Sequence, residues 1–201
     1  MTEMPMFPLS SVLFPHMPLP LRIFEQRYLA MLARVLQDEP AEFGQVLIER
    51  GQESGGGEAR FGIGTVAQIT ELEGAEESVL VMSQGVERFE VEEWLEDDPY
   101  PRATIRRLPE LEWDEELAPL RERAEEVVRR IIVKVEAIGD HPWSSDVVLD
   151  DDPVAACWQL AAIAPLGPLD QLRLLRSTTL RDLLSETIEL ALGVEVVLDL
   201  E

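Results

Sequence analysis

The stretch PLPLRIFEQRY, residues 18–28, decides the fold because two incompatible backbone patterns meet in it. Its first half has proline at every second position, which forbids a helix and confines a strand to a short edge piece. From Arg22 onward, apolar residues recur at steps of three and four, so the pattern predicts an amphipathic helix from Arg22 to about Gln37. Residues 4–15, which precede the stretch, are interrupted by prolines in the same way.

Downstream of this helix, the chain changes from strand patterns to helix patterns near residues 109–114. Before that point, turn residues separate short β-branched and aromatic runs, which lie at residues 46–48, 63–69, 79–82, 89–94 and 103–108. We expect a flexible loop at residues 52–57 and a hairpin connection at residues 73–76. Beyond that point apolar residues follow the helical period, and the predicted helices lie at residues 117–139, 154–164, 169–176 and 180–192.

These patterns predict an α+β chain with two parts. Residues 1–110 form a β-rich subdomain, and residues 111–201 form a helical subdomain packed against it. Several short strands that close on one another have no exposed edges, so we expect a small barrel in the first part. The pattern assigns no element to residues 194–201.

Charge limits the classes of partner. The 201 residues include 40 acids and 17 bases, which give a formal net charge of −23. Nucleic acid and anionic membranes repel such a chain, so neither is an expected partner. No apolar run approaches the roughly 18–20 residues of a transmembrane helix, and residues 1–7 lack the basic segment of a secretory signal. We therefore expect a cytoplasmic protein.

Residues that could support catalysis are sparse. The loop at residues 55–57 lacks the Lys-Ser/Thr of a phosphate-binding loop. Lys134 would be the general base of a serine–lysine dyad, but it lies in an apolar helical run where a surface lysine is the ordinary interpretation. Cys157, the single cysteine, falls in an apolar helix typical of an inert thiol, and its pairing with His141 stays open as an alternative. The acidic loop at residues 146–152 lacks calcium-binding spacing and is expected to be solvated. We expect no catalytic residue, no metal and no cofactor.

Several segments resemble the Lon-protease N-terminal domain. The segment LRIFEQRY, residues 21–28, is the most specific of them. Weaker matches follow in the expected order at residues 7–9, 13–15, 43–44, 64–67, 85–89, 100–103, 171–175 and 180–184. The resemblance implies a PUA-like β pseudo-barrel with one inserted helix, followed by a C-terminal α-helical bundle. The chain stops where the ATPase of a Lon protease would begin, so we expect a stand-alone bacterial member of the family.

In Lon proteases this domain helps to engage substrates. The resemblance therefore implies a non-catalytic protein- or peptide-binding module, an adaptor or regulator connected with proteolysis. Three alternatives stay open: a small-molecule sensor, an RNA-binding PUA-like domain, and a hydrolase that uses Cys157 with His141 or a metal in the acidic loop. The cluster of Arg102, Arg106 and Arg107 is the feature that an RNA-binding face would need. The oligomeric state and the binding face stay open.

The conspicuous motif residues are expected to be structural, and they are Arg22, Phe24, Glu25, Arg27, Tyr28 and Arg88. We predict that Glu25 pairs with Arg22 or Arg88, because an unpaired, half-buried carboxylate is costly. Phe24 and Tyr28 are expected to close one end of the barrel.

Large side chains in or beside predicted loops are the candidate partner contacts, namely His16, Met17, Trp94 and Trp143. Exposed aromatic and apolar side chains often serve binding. The competing interpretation is that these residues seal the barrel against the helices.

Overall fold

The computed structural model describes residues 2–139 and 142–200. The chain divides into two compact units, residues 1–110 and residues 111–201. Within the described residues, the first unit contains a six-stranded sheet and one α-helix, and the second contains four α-helices. The architecture is therefore mixed α+β, as the sequence predicts.

The first unit is built on six strands whose order in the sheet is β2-β5-β4-β3-β1-β6. The strands are β1 (Thr2–Leu9), β2 (Pro18–Ile23), β3 (Glu42–Arg50), β4 (Ala59–Ala75), β5 (Ser78–Trp94) and β6 (Arg102–Arg107). Strand β5 also pairs with β6, so the pairing runs along β5, β4, β3, β1 and β6 and returns to β5. Among the described residues, β2 pairs only with β5 and forms an open edge.

Strand β1 accommodates Pro5 and Pro8 because its two halves have different partners. Residues 2–5 pair antiparallel with β6, and residues 6–9 pair parallel with β3. Each half of β1 donates backbone hydrogen bonds to a single partner strand. Proline, which has no N–H, is therefore tolerated at positions whose N–H would point away from that partner. Contrary to the expectation from its prolines, β1 as a whole lies inside the sheet and not at its edge.

Strands β4 and β5 form one long hairpin, with 17 residues in each strand. The sequence predicts two short strands in place of β5, because polar residues and Gly85 separate its apolar runs. In the structure these residues continue the strand, since Ser83 and Arg88 are buried and Gly85 meets the backbone of Phe14. The hydrophobic pattern failed here because the buried positions are polar.

The turn of this hairpin lies at Glu76 and Glu77, because Ala75 pairs with Ser78. Glu77 has a φ of 58°, a left-handed conformation that a two-residue turn requires of its second residue here. The sequence predicts the connection at residues 73–76, which is three residues too early at its start. Gly74 suggested the turn but lies within the strand.

Helix α1 spans Gln26–Val35 and begins four residues later than the periodicity predicts. Arg22 and Ile23 belong to β2, whose pairing with β5 extends to Ile23 opposite Val79. Phe24 lies in the connection and is 60% exposed, so the prediction that it closes the barrel end is wrong. The buried side of the helix consists of Tyr28, Met31, Leu32 and Val35.

A compact cluster forms the core between the strands, and its members are Met4, Met6, Val46, Val66, Phe89, Ala103 and Ile105. Gly64 lets β4 approach this core closely. A Cβ atom at this position would lie 2.0 Å from the Gln45 carbonyl oxygen and 2.8 Å from the Phe89 ring. No side chain fits there without movement of the backbone.

The second unit consists of α2 (Ala118–Glu136), α3 (Pro153–Ile163), α4 (Pro168–Leu175) and α5 (Leu180–Leu198), with a 3₁₀ turn at Glu115–Leu117. Asp152 and Thr179 cap α3 and α5 by accepting hydrogen bonds from backbone N–H groups. Helix α5 does not end at Gly193 as predicted. It continues because Glu195 forms ion pairs with Arg130 and Lys134 of α2. No described helix combines the length and apolar character that a bilayer crossing requires.

Candidate functional site

An apolar surface on β2, β5 and β4 is the candidate site of the first unit. Cross-strand pairing forms two rows of three residues, Pro20–Met82–Glu71 and Arg22–Leu80–Glu73. Residues that face each other across antiparallel strands point to the same side of the sheet. These six side chains therefore share one side, which we call the hairpin face.

The hairpin face is open to solvent. Leu80 and Met82 are 41% and 38% exposed, whereas Val81 and Ser83 between and beside them are buried. Strand β5 thus buries one side and exposes the other, as alternate positions of a strand do. Leu72 of β4 is 43% exposed, but it faces Val81 and therefore lies on the opposite side of the sheet from Leu80 and Met82.

A groove of about 660 Å³ runs along this surface. It is lined by residues 20–22 of β2, 71–73 of β4 and 80–82 of β5. Single exposed apolar residues are ordinary, but neighbouring ones that line a groove mark interaction sites. The groove can therefore accept apolar side chains from a partner.

Carboxylates surround the apolar side chains. Glu71, Glu73, Glu76 and Glu77 are exposed, and none of them forms an ion pair with another described residue. The one base of the hairpin face is Arg22, whose Nε donates to the Ser78 hydroxyl at 3.1 Å. The groove is therefore apolar in its centre and negative at its rim.

The open edge of β2 is a poor template for another strand. N–H groups of a strand point alternately to its two sides, and proline has none. Because Pro18 and Pro20 alternate with Leu19 and Leu21, the donors to β5 come from the leucine positions. Of the outward positions in β2, Arg22 alone retains an N–H group. A partner is therefore expected to contact the side chains of the hairpin face and not to extend the sheet.

A polar cluster lies at the start of α1, and its pairs differ from those that the sequence predicts. Glu25 Oε2 lies 3.3 Å from Arg27 Nε, and it also accepts from the Gly55 N–H at 3.3 Å. Arg27 donates to the Glu53 carbonyl oxygen and lies 4.4 Å from the centre of the Tyr28 ring. This cluster fastens the glycine-rich loop to the helix.

The predicted pairing of Glu25 with Arg22 or Arg88 is therefore wrong, because Arg27 takes that role. Arg22 lies in β2 and bonds to Ser78. Arg88 is buried, donates to the Pro109 carbonyl oxygen at 3.4 Å, and burial lowers its pKa. The sequence pattern did not indicate Arg27 as the partner of Glu25, because its helical period extends past the true start of α1 to Arg22.

Tyr28 is 2% exposed and stacks on Phe7 with ring centroids 4.1 Å apart. Burial raises the pKa of its hydroxyl well above the ordinary value, and the nearby Arg27 opposes part of that increase. The tyrosine therefore stays protonated and acts as part of the core.

The candidate partner contacts of the first unit do not form one apolar surface. Met17 is 7% exposed and lies in the core. His16 has a φ of 62°, and its Nε2 lies 3.9 Å from Glu110 Oε1. Trp94 is half-buried, packs against the core and lies 5.0 Å from the Arg60 guanidinium carbon. Trp143, in the other unit, is half-buried.

The arginine cluster of β6 is neutralised by carboxylates. Arg102 pairs with Glu3 and Arg106 pairs with Glu90, while Arg107 pairs with both Glu42 and Glu87. A phosphate would have to displace these carboxylates before it could bind. The cluster therefore gives no support to the RNA-binding alternative.

Two of the candidate catalytic groups, Cys157 and Lys134, are respectively buried and held in ion pairs. Cys157 is buried, and desolvation raises the pKa of its thiol to about 12. His141, its proposed partner, lies outside the described residues. Lys134 pairs with Glu195 and Asp199.

In the acidic loop, Asp152 caps α3, and Asp150 accepts the backbone N–H of Asp152 at 2.9 Å. No group of carboxylate, thiol or imidazole side chains among residues 2–139 and 142–200 is arranged to hold a metal. The loop therefore acts as a capping segment in the part of the chain that the structure describes.

Sequence reasoning missed Leu80 and Met82 as candidate site residues. In the sequence they resemble any apolar strand positions, and exposure depends on which side of the sheet is covered.

Comparison with known proteins identifies a family. The model of the ATP-dependent protease La (LON) substrate-binding domain matches residues 3–192. Two solved structures have the same fold and cover 94% of this chain and 98% of their own. The Lon N-terminal domain protein from Xanthomonas campestris has a TM-score of 0.67 at 22% identity. The N-terminal domain of the Mycobacterium avium complex Lon protease has a TM-score of 0.65 at 15% identity.

Two curated relatives match part of the chain. Lon protease from Anaeromyxobacter dehalogenans (strain 2CP-C) is 34% identical over 105 residues, and Lon protease 2 from Myxococcus xanthus is 33% identical over 105 residues. Each alignment covers 51% of this chain but only 12% and 13% of the respective relative. Because the family model spans nearly the whole chain, this protein belongs to the Lon substrate-binding domain family.

Proposed function

We propose that this chain is a non-catalytic protein- or peptide-binding module that engages polypeptide segments in connection with proteolysis. Membership of a substrate-binding domain family supports the class of function. The observation that carries the proposal is the hairpin face, where Leu80 and Met82 lie exposed side by side above a groove. Its occupant in this proposal is an apolar polypeptide segment.

The exposed area suits weak and reversible binding. Full burial of an apolar side chain contributes about 1.5–3 kcal/mol. Leu80 and Met82 are each about two-fifths exposed, so covering them would contribute about 1–2 kcal/mol. The partner's own apolar side chains add a similar amount, and association itself costs about 4 kcal/mol or more. We therefore expect weak binding of a single segment, with a Kd of about 1 mM or weaker, which permits rapid release.

The finer features of the proposal rest on family resemblance and sequence. We propose that the sheet is a PUA-like pseudo-barrel and that the second unit is a helical bundle. We further propose that the protein acts in the cytoplasm as an adaptor or regulator. The prolines of β2 support binding through side chains, because they blunt the open edge of the sheet.

Binding to a permanently unfolded, carboxymethylated protein tests this proposal. Fluorescence anisotropy of the labelled probe would be measured against the wild type and against a Leu80→Ser, Met82→Ser variant. We expect the double variant to bind at least about fivefold more weakly, a difference of about 1 kcal/mol.

The matched control is Leu169→Ser, which removes an equally apolar but isolated side chain that is 68% exposed in α4. It should bind within about twofold of the wild type. Circular dichroism would establish that all three proteins are folded. Absence of binding by the wild type, or equal binding by the double variant, contradicts the proposal.

A further inference from the structure

The charge around the hairpin face specifies its occupant more closely than apolar character does. Resting on the proposed function, we infer that this face selects apolar segments flanked by basic residues. The selection comes from cross-strand pairs in which an acidic residue of β4 faces an apolar residue of β5. Glu71 faces Met82, and Glu73 faces Leu80.

The geometry places negative charge on two sides of the apolar groove. Glu71 and Glu73 lie along β4, and Glu76 and Glu77 form the turn at the end of the hairpin. A segment whose apolar side chains contact Leu80 and Met82 therefore brings its flanking residues close to these carboxylates. Lysine or arginine at the flanks meets opposite charge, whereas aspartate or glutamate meets like charge.

These carboxylates differ from most others on the sheet. Elsewhere in the first unit, arginines pair with the neighbouring carboxylates: Arg102 with Glu3, Arg60 with Glu58 and Asp97, Arg106 with Glu90, and Arg107 with Glu42 and Glu87. The four carboxylates of the hairpin have no such partner among the described residues. Their charge is therefore available to a ligand without displacement of an internal ion pair.

Arg22 does not cancel this charge. Its Nε bonds to the Ser78 hydroxyl, and it is one base against four acids. An acidic rim of this kind also discourages anionic occupants. The face is therefore suited to basic, apolar segments of unfolded polypeptides and not to acidic ones.

Three fluorescent peptides with one shared apolar core test the inference. Their flanks carry two lysines, two glutamines or two glutamates on each side. At about 50 mM salt we expect the lysine peptide to bind about fivefold more tightly than the glutamine peptide, and the glutamate peptide to bind most weakly. At about 500 mM salt the three affinities should converge to within about twofold, because the screening length becomes shorter than the distances across the rim.

A charge variant and a matched control separate local from global attraction. The rim variant is Glu71→Gln, Glu73→Gln, Glu76→Gln and Glu77→Gln. The control carries the same change in net charge on exposed residues of the second unit, Glu112→Gln, Glu116→Gln, Glu122→Gln and Glu189→Gln. We expect the rim variant to lose the preference for lysine flanks and the control to retain it.

The outcomes distinguish this inference from the proposed function. Equal affinities of the three peptides at low salt, with loss of binding in the Leu80→Ser, Met82→Ser variant, overturn charge selection and leave the binding site standing. No binding of any peptide to the wild type overturns both. A homodimer that the same double variant converts to a monomer would show that a second copy of this chain occupies the face, and would overturn the inference.

Discussion

Pro20 faces Met82 across the β2–β5 pair, and both side chains point to solvent. This pair shows two properties of the candidate site, a strand edge that lacks N–H donors and an exposed apolar surface. The proline removes an outward N–H from the edge, and the methionine offers an adaptable apolar surface beside it. We therefore expect a partner to bind through side chains, because the edge resists addition of a further strand.

Arg27→Ala is expected to destabilise the first unit by about 1–3 kcal/mol, since it removes the ion pair to the half-buried Glu25 and the contact with Tyr28. Arg22→Ala should cost less than about 0.5 kcal/mol, because Arg22 is exposed and bonds only to Ser78 among the contacts described. Urea denaturation of both variants checks this. A larger effect for Arg22→Ala would show that the pairing at the start of α1 differs from the one described.

Gly64→Ala should strongly destabilise the sheet, by about 3 kcal/mol or more, because the new Cβ would lie 2.0 Å from the Gln45 carbonyl oxygen. Gly62→Ala is a control in the same strand, where a Cβ would have no atom within 4 Å. The midpoints of chemical denaturation of the two variants give the comparison. Similar midpoints would contradict the close approach of β4 to β3.

Helix α5 should lose stability in acid through Glu195. The hydrogen bonds from Arg130 and Lys134 lower the pKa of this carboxyl from 4.5 to about 2. A lowered folded-state pKa stabilises the fold above the unfolded value, and this contribution is lost as the pH falls from 4.5 toward 2. Glu195→Gln should therefore reduce stability at pH 7 and show a flatter decline across that interval. Parallel pH profiles for the two proteins would contradict the pairing.

Cys157 should be unreactive in the folded protein. Burial raises its pKa from 9.0 to about 12, so the thiol stays protonated at pH 8. A raised folded-state pKa also means that its contribution is present below pH 9 and is lost as the pH rises toward 12. Labelling with a thiol reagent at pH 8 should be slow in buffer and fast in denaturant. Rapid labelling of the native protein would reopen the catalytic alternative.

Much of the fold could be predicted from local patterns. Helices α2 and α3 lie where the helical period predicts them, and Pro119 in the first turn of α2 and the cap at Asp152 of α3 suit these starts. Helix α1 was placed too early because Ile23 fits both a helical period and a strand. Strand β5 was divided because its centre buries Ser83 and Arg88, which no hydrophobic pattern marks.

The candidate site was less predictable for a physical reason. Whether Leu80 is exposed depends on which side of β5 is covered by other elements, and its own sequence neighbours do not determine this. The predicted contacts Met17 and Trp94 are large residues beside loops, and both pack instead against the core.

Mapping a basic, apolar peptide onto the protein by two-dimensional NMR tests the central claim most directly. With increasing peptide, we expect backbone amide signals of residues 21–24, 71–73 and 80–82 to shift progressively in fast exchange, and those of α4 to stay unchanged. Shifts confined to other residues, or no shifts at peptide concentrations of a few millimolar, would contradict the claim that the hairpin face binds polypeptide segments.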